Sequence, residues 1–89
     1  MADLSYTDLH DANLANEELG EANLSYARLA GTFLFKANLY GADLSNAVLT
    51  AAFLWRANLN GAIWNNTTCP DGTKNNGIEP CTTEQLNLA

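Results

Sequence analysis

The sequence predicts an all-β solenoid, a stack of square coils about three coils tall, with a C-terminal loop and a short helical cap. Three observations predict it. Leucine recurs every five residues, at 4, 9, 14, 19, 24, 29, 34, 39, 44, 49, 54 and 59, and Trp64 takes the next place. Two positions before these central residues stands alanine in ten of thirteen units, threonine in two and Glu17 in one, so the unit reads Ala-x-Leu-x-x. A second period of twenty overlies the first: Ala2-Asp3-Leu4-Ser5-Tyr6 matches Ala22-Asn23-Leu24-Ser25-Tyr26 and then Ala42-Asp43-Leu44-Ser45-Asn46. Self-similarity at a fixed period is the signature of repeat architectures.

The period of five excludes the ordinary elements. On a helix each leucine would advance by about 140°, leaving no apolar stripe. On one continuous strand an odd period would send successive leucines to opposite faces. Within a unit, however, Ala and Leu are two apart and point the same way, as in a very short strand. A corner after every unit keeps all of them inside, and four right-angled corners close a coil of twenty. Coils stacked at roughly 4.8 Å then give a solenoid only about 15 Å tall. Each coil buries four large side chains at roughly 1.5–3 kcal/mol apiece against ordering entropy of similar size, so its ends need covering.

With this pattern the chain resembles the pentapeptide-repeat family, whose motif is Ala-(Asp/Asn)-Leu-x-x. The resemblance covers residues 2 to 66 and implies a right-handed quadrilateral parallel β-helix. Two positions depart from it. Glu17 sits where a small inward residue belongs, so either the first coil loosens or the carboxylate reaches out of the open end. Trp64 replaces the last leucine and is read as a plug on the base of the core, with a partly exposed indole as the alternative.

Two regions follow: a β-helix over 1–66 and a cap over 67–89. From Asn65 the repeat dissolves into turn formers, with Pro70-Asp71-Gly72 and Asn76-Gly77 as the clearest turns. Cys69 and Cys81, the only cysteines, bracket this loop. An even count in a small loop-rich segment points to a disulfide rather than a zinc site, the other reading being two idle thiols. Thr82-Thr83-Glu84-Gln85-Leu86 reads as one capped helical turn that lays Leu86 and Leu88 over the last coil. The Cys-Pro-Asp-Gly-Thr tail resembles that of pentapeptide-repeat proteins of cyanobacteria and other bacteria, several of them directed to the periplasm or thylakoid lumen. A disulfide therefore implies an extracytoplasmic protein whose signal peptide has been removed or left out of this sequence; without it the address is cytoplasmic.

Charge narrows the function. Ten acids against four Lys and Arg give a net charge of -6, which disfavours direct nucleic-acid binding. No apolar run approaches the length of a membrane span, so no membrane insertion is expected. His10, the only histidine, shares an outward wall with Asp8, beside Asp11 at the corner, too few ligands for a transition-metal site. Asp71 to Asn75 lacks the carboxylate spacing of a calcium loop. An exposed convex wall offers no cleft in which to shift a pKa, and no nucleophile has a base beside it. Neither an enzyme nor a cofactor is expected.

The outward positions flank each central residue. On the third wall they hold Phe33, Phe35, Phe53 and Trp55, with Lys36 and Arg56 at its edge. These aromatics either pair structurally across coils or form a contact face for a protein partner. Tyr6 and Tyr26 form a further ladder. Asp3, Asp8, Asp11, Glu17, Glu18 and Glu21 crowd into the first coil. The reading is a non-enzymatic interaction module presenting rigid ladders to a protein partner. The alternative, implied by relatives that mimic duplex DNA and bind DNA gyrase, is an inhibitor carried by those six acids, against which the short stack and the cysteine loop both weigh. An uncapped first coil or the aromatic wall would also pair two copies as a homodimer. The abrupt start at Ala2 equally suits a fragment of a longer solenoid.

Overall fold

A computed structural model describes residues 1–86 of the chain. Every residue just before a central one, from Asp3 to Val48, pairs in parallel with the residue twenty further on, so that all ten parallel pairings keep one register. The lag of twenty read from the sequence is thus the rise from one rung to the next. Each wall contributes a single paired residue rather than a strand of several, because the corners occupy the positions on either side.

The corners are uniform. At all thirteen, the N–H of the next small residue donates to the carbonyl of the central residue, at 2.8–3.3 Å. The second residue after each central one has positive φ, from Tyr6 at 61° to Asn66 at 55°. This is the pattern of a type II turn, in which glycine and asparagine are the usual occupants of that position. Here ten of the thirteen are not glycine, and tyrosine, glutamate, lysine and arginine are among them. Left-handed backbone costs such residues roughly 1–2 kcal/mol each. Cross-rung bonds offset it: Leu24 N–H donates to Asp43 at 2.8 Å, Tyr26 N–H to Ser45 at 2.9 Å, and Asn23 N–H back to Ala2 at 2.8 Å.

The interior is the column of central and small residues. Leu24, Leu29, Leu34, Leu39, Leu44 and Leu49 have no exposed surface, and the alanines from Ala22 to Ala47 lie between them. Leu4, Leu9 and Leu14 on the first rung are only partly buried. Threonine replaces alanine where its hydroxyl finds a carbonyl: buried Thr32 donates to Leu9 O, and buried Thr67 to Leu44 O, each at 2.8 Å. Glu17 resolves toward the second of its two expectations. Its backbone keeps the corner bond to Leu14 and accepts from Asn38 N–H at 2.9 Å, while the residue is exposed, so the coil is not loosened. Trp64 is buried.

The stacking runs on past residue 66. Thr67 faces inward, Thr68 pairs with Val48, and Cys69 occupies the central place of a fourteenth unit with no exposed surface. The order breaks one turn later. In Cys69-Pro70-Asp71-Gly72, closed by Gly72 N–H to Cys69 O at 2.8 Å, positive φ falls on Gly72, the fourth residue, instead of the third. The chain then doubles back, and Thr68 pairs antiparallel with Lys74. Cys69 and Cys81 form a disulfide, with Cα atoms 5.9 Å apart.

Helix α1, Thr83–Leu86, follows. Thr82 Oγ1 accepts from Gln85 N–H at 3.1 Å and Gln85 Oε1 accepts from Thr82 N–H at 2.8 Å, a reciprocal capping box. The Gln85 carboxamide also donates to Thr73 Oγ1 and Asn75 Oδ1, tying α1 to the doubled-back segment. Leu86 is buried with Trp64, Cys69 and Cys81 in the core cluster. Leu88 lies outside the described residues.

Candidate functional site: the aromatic wall

Phe33 and Phe53 occupy paired positions on adjacent rungs, so their side chains leave the same wall one above the other. Their rings stack at 4.8 Å between centroids and within 5° of parallel. Phe35 and Trp55 stand two residues further along, on the same face. Phe35 lies 5.7 Å from Phe53 and 6.4 Å from Trp55, the latter edge-on at 77°. Arg56 lays its guanidinium over the indole of Trp55, Cζ being 4.8 Å from the ring centroid, a geometry suited to cation–π attraction. Phe33, Phe53 and Trp55 keep 37%, 44% and 48% of their surface exposed, in contact with one another yet facing solvent. Lys36 and Arg56 share one corner column, at φ 57° and 59°. The structure thus brings together all six residues singled out on this wall.

The six acids are not gathered in the same way. Asp3, Asp8 and Glu18 hold the paired positions of three different walls, while Asp11 and Glu21 stand at corners and Glu17 at an inward position. They surround the first rung instead of forming one acidic face. His10 and Asp8 do meet, Nδ1 donating to Oδ1 at 2.9 Å, and both are exposed. That hydrogen bond holds the imidazole above its ordinary value and, with Arg28 contributing a little, the Asp8 carboxyl below its own. Asp3 and Asp71 are held low by hydrogen bonds from Ser5 and Thr73, and the Asp71 bonds close a plain turn. No group of three His, Cys, Asp or Glu side chains capable of holding a metal occurs among the described residues.

One ladder was not singled out in the sequence. Asn38 Nδ2 donates to Glu18 at 3.0 Å and Asn58 Nδ2 to Asn38 at 3.4 Å. Reading positions 18, 38 and 58 at the lag of twenty would have found it. Tyr6 and Tyr26 stack at 4.7 Å as expected of stacked corners.

The fold and its unit define a β-helical repeat protein. Family comparison makes the class specific: the pentapeptide repeats family model, written for eight copies of the unit, matches residues 2–39 and 34–66. The chain belongs to the pentapeptide repeat family, whose solved members imply a right-handed β-helix. Among these is HetL from the cyanobacterium Nostoc sp. strain PCC 7120, a pentapeptide repeat protein involved in heterocyst differentiation regulation. It is similar at 31% identity and a TM-score of 0.63, over 82% of this chain and 43% of HetL. A second Nostoc pentapeptide repeat protein is 38% identical over 74% of this chain and 59% of its own, with a TM-score of 0.39. One from the Arabidopsis thaliana thylakoid lumen is 32% identical over 74% and 49%, with a TM-score of 0.37. The chain therefore spans less than two thirds of each of these relatives. No curated protein matches it.

Proposed function

We propose that this protein is a non-enzymatic interaction module: a β-helix of about three coils, closed below by its disulfide-bonded helical cap, that presents Phe33, Phe35, Phe53 and Trp55 to a protein partner. The observation that carries the reading is the aromatic wall itself. The rings of Phe33, Phe53 and Trp55 remain 37–48% exposed while the leucines directly behind them, Leu34 and Leu54, are buried. Contact faces of proteins are enriched in such aromatics and in arginine. Involvement of HetL in regulation is compatible with a module that acts by contact.

The Cys69–Cys81 disulfide supports an oxidising, extracytoplasmic address, as in the periplasm or thylakoid lumen. Against the DNA-mimic alternative speaks the placement of the acids, which surround one end of the stack, whereas a duplex mimic needs charge spaced along one face.

The test is affinity capture from a lysate of the source organism with the parent protein and a Phe35→Ser, Trp55→Ser double variant. A protein retained by the parent, lost by the variant, and rebinding when purified supports the reading. Identical captures by both, or inhibition of gyrase supercoiling that disappears when the six acids are neutralised, would overturn it.

A further inference from the structure

The cations of this wall are placed in a way that structure alone does not require. Of ten acids in the chain, six lie within residues 1–21, which contain no Lys or Arg; the rest of the chain holds four acids and four bases, so the net charge of -6 resides in the first rung. Residues 30–38 and 50–58, the two aromatic rungs, contain no acid and carry Lys36 and Arg56. Among the described residues the only ion pair is His10 with Asp8, so neither cation is neutralised by a carboxylate. Lys36 and Arg56 are nonetheless stacked in one column, about 4.8 Å apart in rung spacing, where like charges destabilise each other. An acidic protein thus keeps an unneutralised cationic pair beside its largest aromatic cluster.

Ring geometry points the same way. Phe33 and Phe53 each turn one face to the other, at 4.8 Å and 5°, and Arg56 covers one face of Trp55. The stack therefore offers ring edges outward. Edges are the electropositive part of an aromatic ring and faces the electronegative part. A net charge of -6 repels the continuous phosphate backbone of a nucleic acid, whereas a short acidic segment can meet the two cations locally. Carboxylates suit both the edges and the cations.

We infer that the wall takes an acidic segment of a partner protein, with carboxylates held by Lys36 and Arg56 and an apolar side chain lodged among Phe35, Phe53 and Trp55. The inference rests on the reading of this wall as a protein-contact face and adds the chemistry of what it contacts.

The probes are three fluorescein-labelled ten-residue peptides of alternating residues, Glu with Phe, Gln with Phe, and Lys with Phe, titrated by fluorescence anisotropy against the full chain. A Lys36→Glu, Arg56→Glu variant is compared; the corner backbone accepts glutamate, since Glu21 sits at φ 59°. The Glu peptide is expected to bind about tenfold more tightly than the Gln peptide, as two partly exposed ion pairs allow, with the Lys peptide weakest. The reversed variant should invert that order. Unchanged order in the variant, Gln binding equal to Glu, or no binding of any peptide overturns the inference, as does binding of phosphatidylglycerol vesicles in place of the Glu peptide. Should Glu and Gln peptides bind the parent equally and both fail with the Phe35→Ser, Trp55→Ser variant, charge selection falls while the contact face stands.

Discussion

Gly31 lies directly against Asp11 on the neighbouring rung: a Cβ built on Gly31 would stand 2.2 Å from Asp11 Oδ1. Both residues occupy the third position of their corner turns, at φ 69° and 59°. Glycine therefore serves two purposes here, accepting left-handed backbone and leaving room for the carboxylate stacked on it.

Gly31→Ala is expected to destabilise the protein by about 1–2 kcal/mol from backbone conformation, with a further increment from the displaced carboxylate. Urea unfolding measures it. A Gly31→Ala, Asp11→Ala double variant should lose less than the sum of the single changes; strict additivity would show that the carboxylate simply swings away.

Thr32→Val keeps the shape of a buried side chain and removes its hydrogen bond to Leu9 O. The expected cost is about 1 kcal/mol, the net value of one such bond. Leu9 O still accepts from Ala12 N–H at 3.0 Å, so no carbonyl is orphaned and a much larger loss would contradict the assignment.

Replacing Cys69 and Cys81 together by alanine should cost about 3 kcal/mol from the lost cross-link, the chain-entropy value for a loop of this size. Loss of the buried Cys69 side chain from the core adds to it. Intact mass after alkylation without reductant checks the bond first: the parent should take up no label, and two labels would show free thiols.

The His10–Asp8 pair makes stability on the first rung depend on pH. His10 is held above its ordinary 6.5, so its contribution is complete below that value and fades as pH rises through the raised one. Asp8 is held below its ordinary 3.8, so its contribution is complete above that value and fades as pH falls through the lowered one. Asp8→Asn should move the His10 titration midpoint, followed by NMR of the imidazole protons, back down toward 6.5. An unmoved midpoint would mean that the contact at 2.9 Å does not persist in solution.

Much of this architecture was legible because its two periods are geometric necessities. A spacing of five requires corners, and a match at twenty tells which residues stack, so Phe33 over Phe53 and Tyr6 over Tyr26 could be read without coordinates. The fourteenth unit was not legible, since Thr67-Thr68-Cys69 shares no residue with Ala-x-Leu. What the core demands is a small inward group followed by an apolar one, and threonine with a satisfied hydroxyl and a disulfide-bonded cysteine meet that demand as well. Nor does residue type reveal the left-handed corners. Lys36, Tyr26 and Glu21 adopt positive φ because rungs above and below fix the backbone, so tertiary context overrides local preference. The ring edges and the unneutralised cations follow from spatial arrangement, which lag-twenty reading locates only to the level of a column.

Gly72 carries a final implication. A parallel ladder has no internal reason to end, since every rung is a template for the next. Displacing the positive φ by one residue, at a glycine free to adopt 90°, turns the growing edge of that wall back on itself. The result is a punctuation mark that is independent of how many rungs precede it. Length in this protein is thus separable from termination: a twenty-residue insertion matching one coil should add a rung and leave the closing turn unchanged, making the solenoid a ruler whose graduations can be varied without rewriting its end.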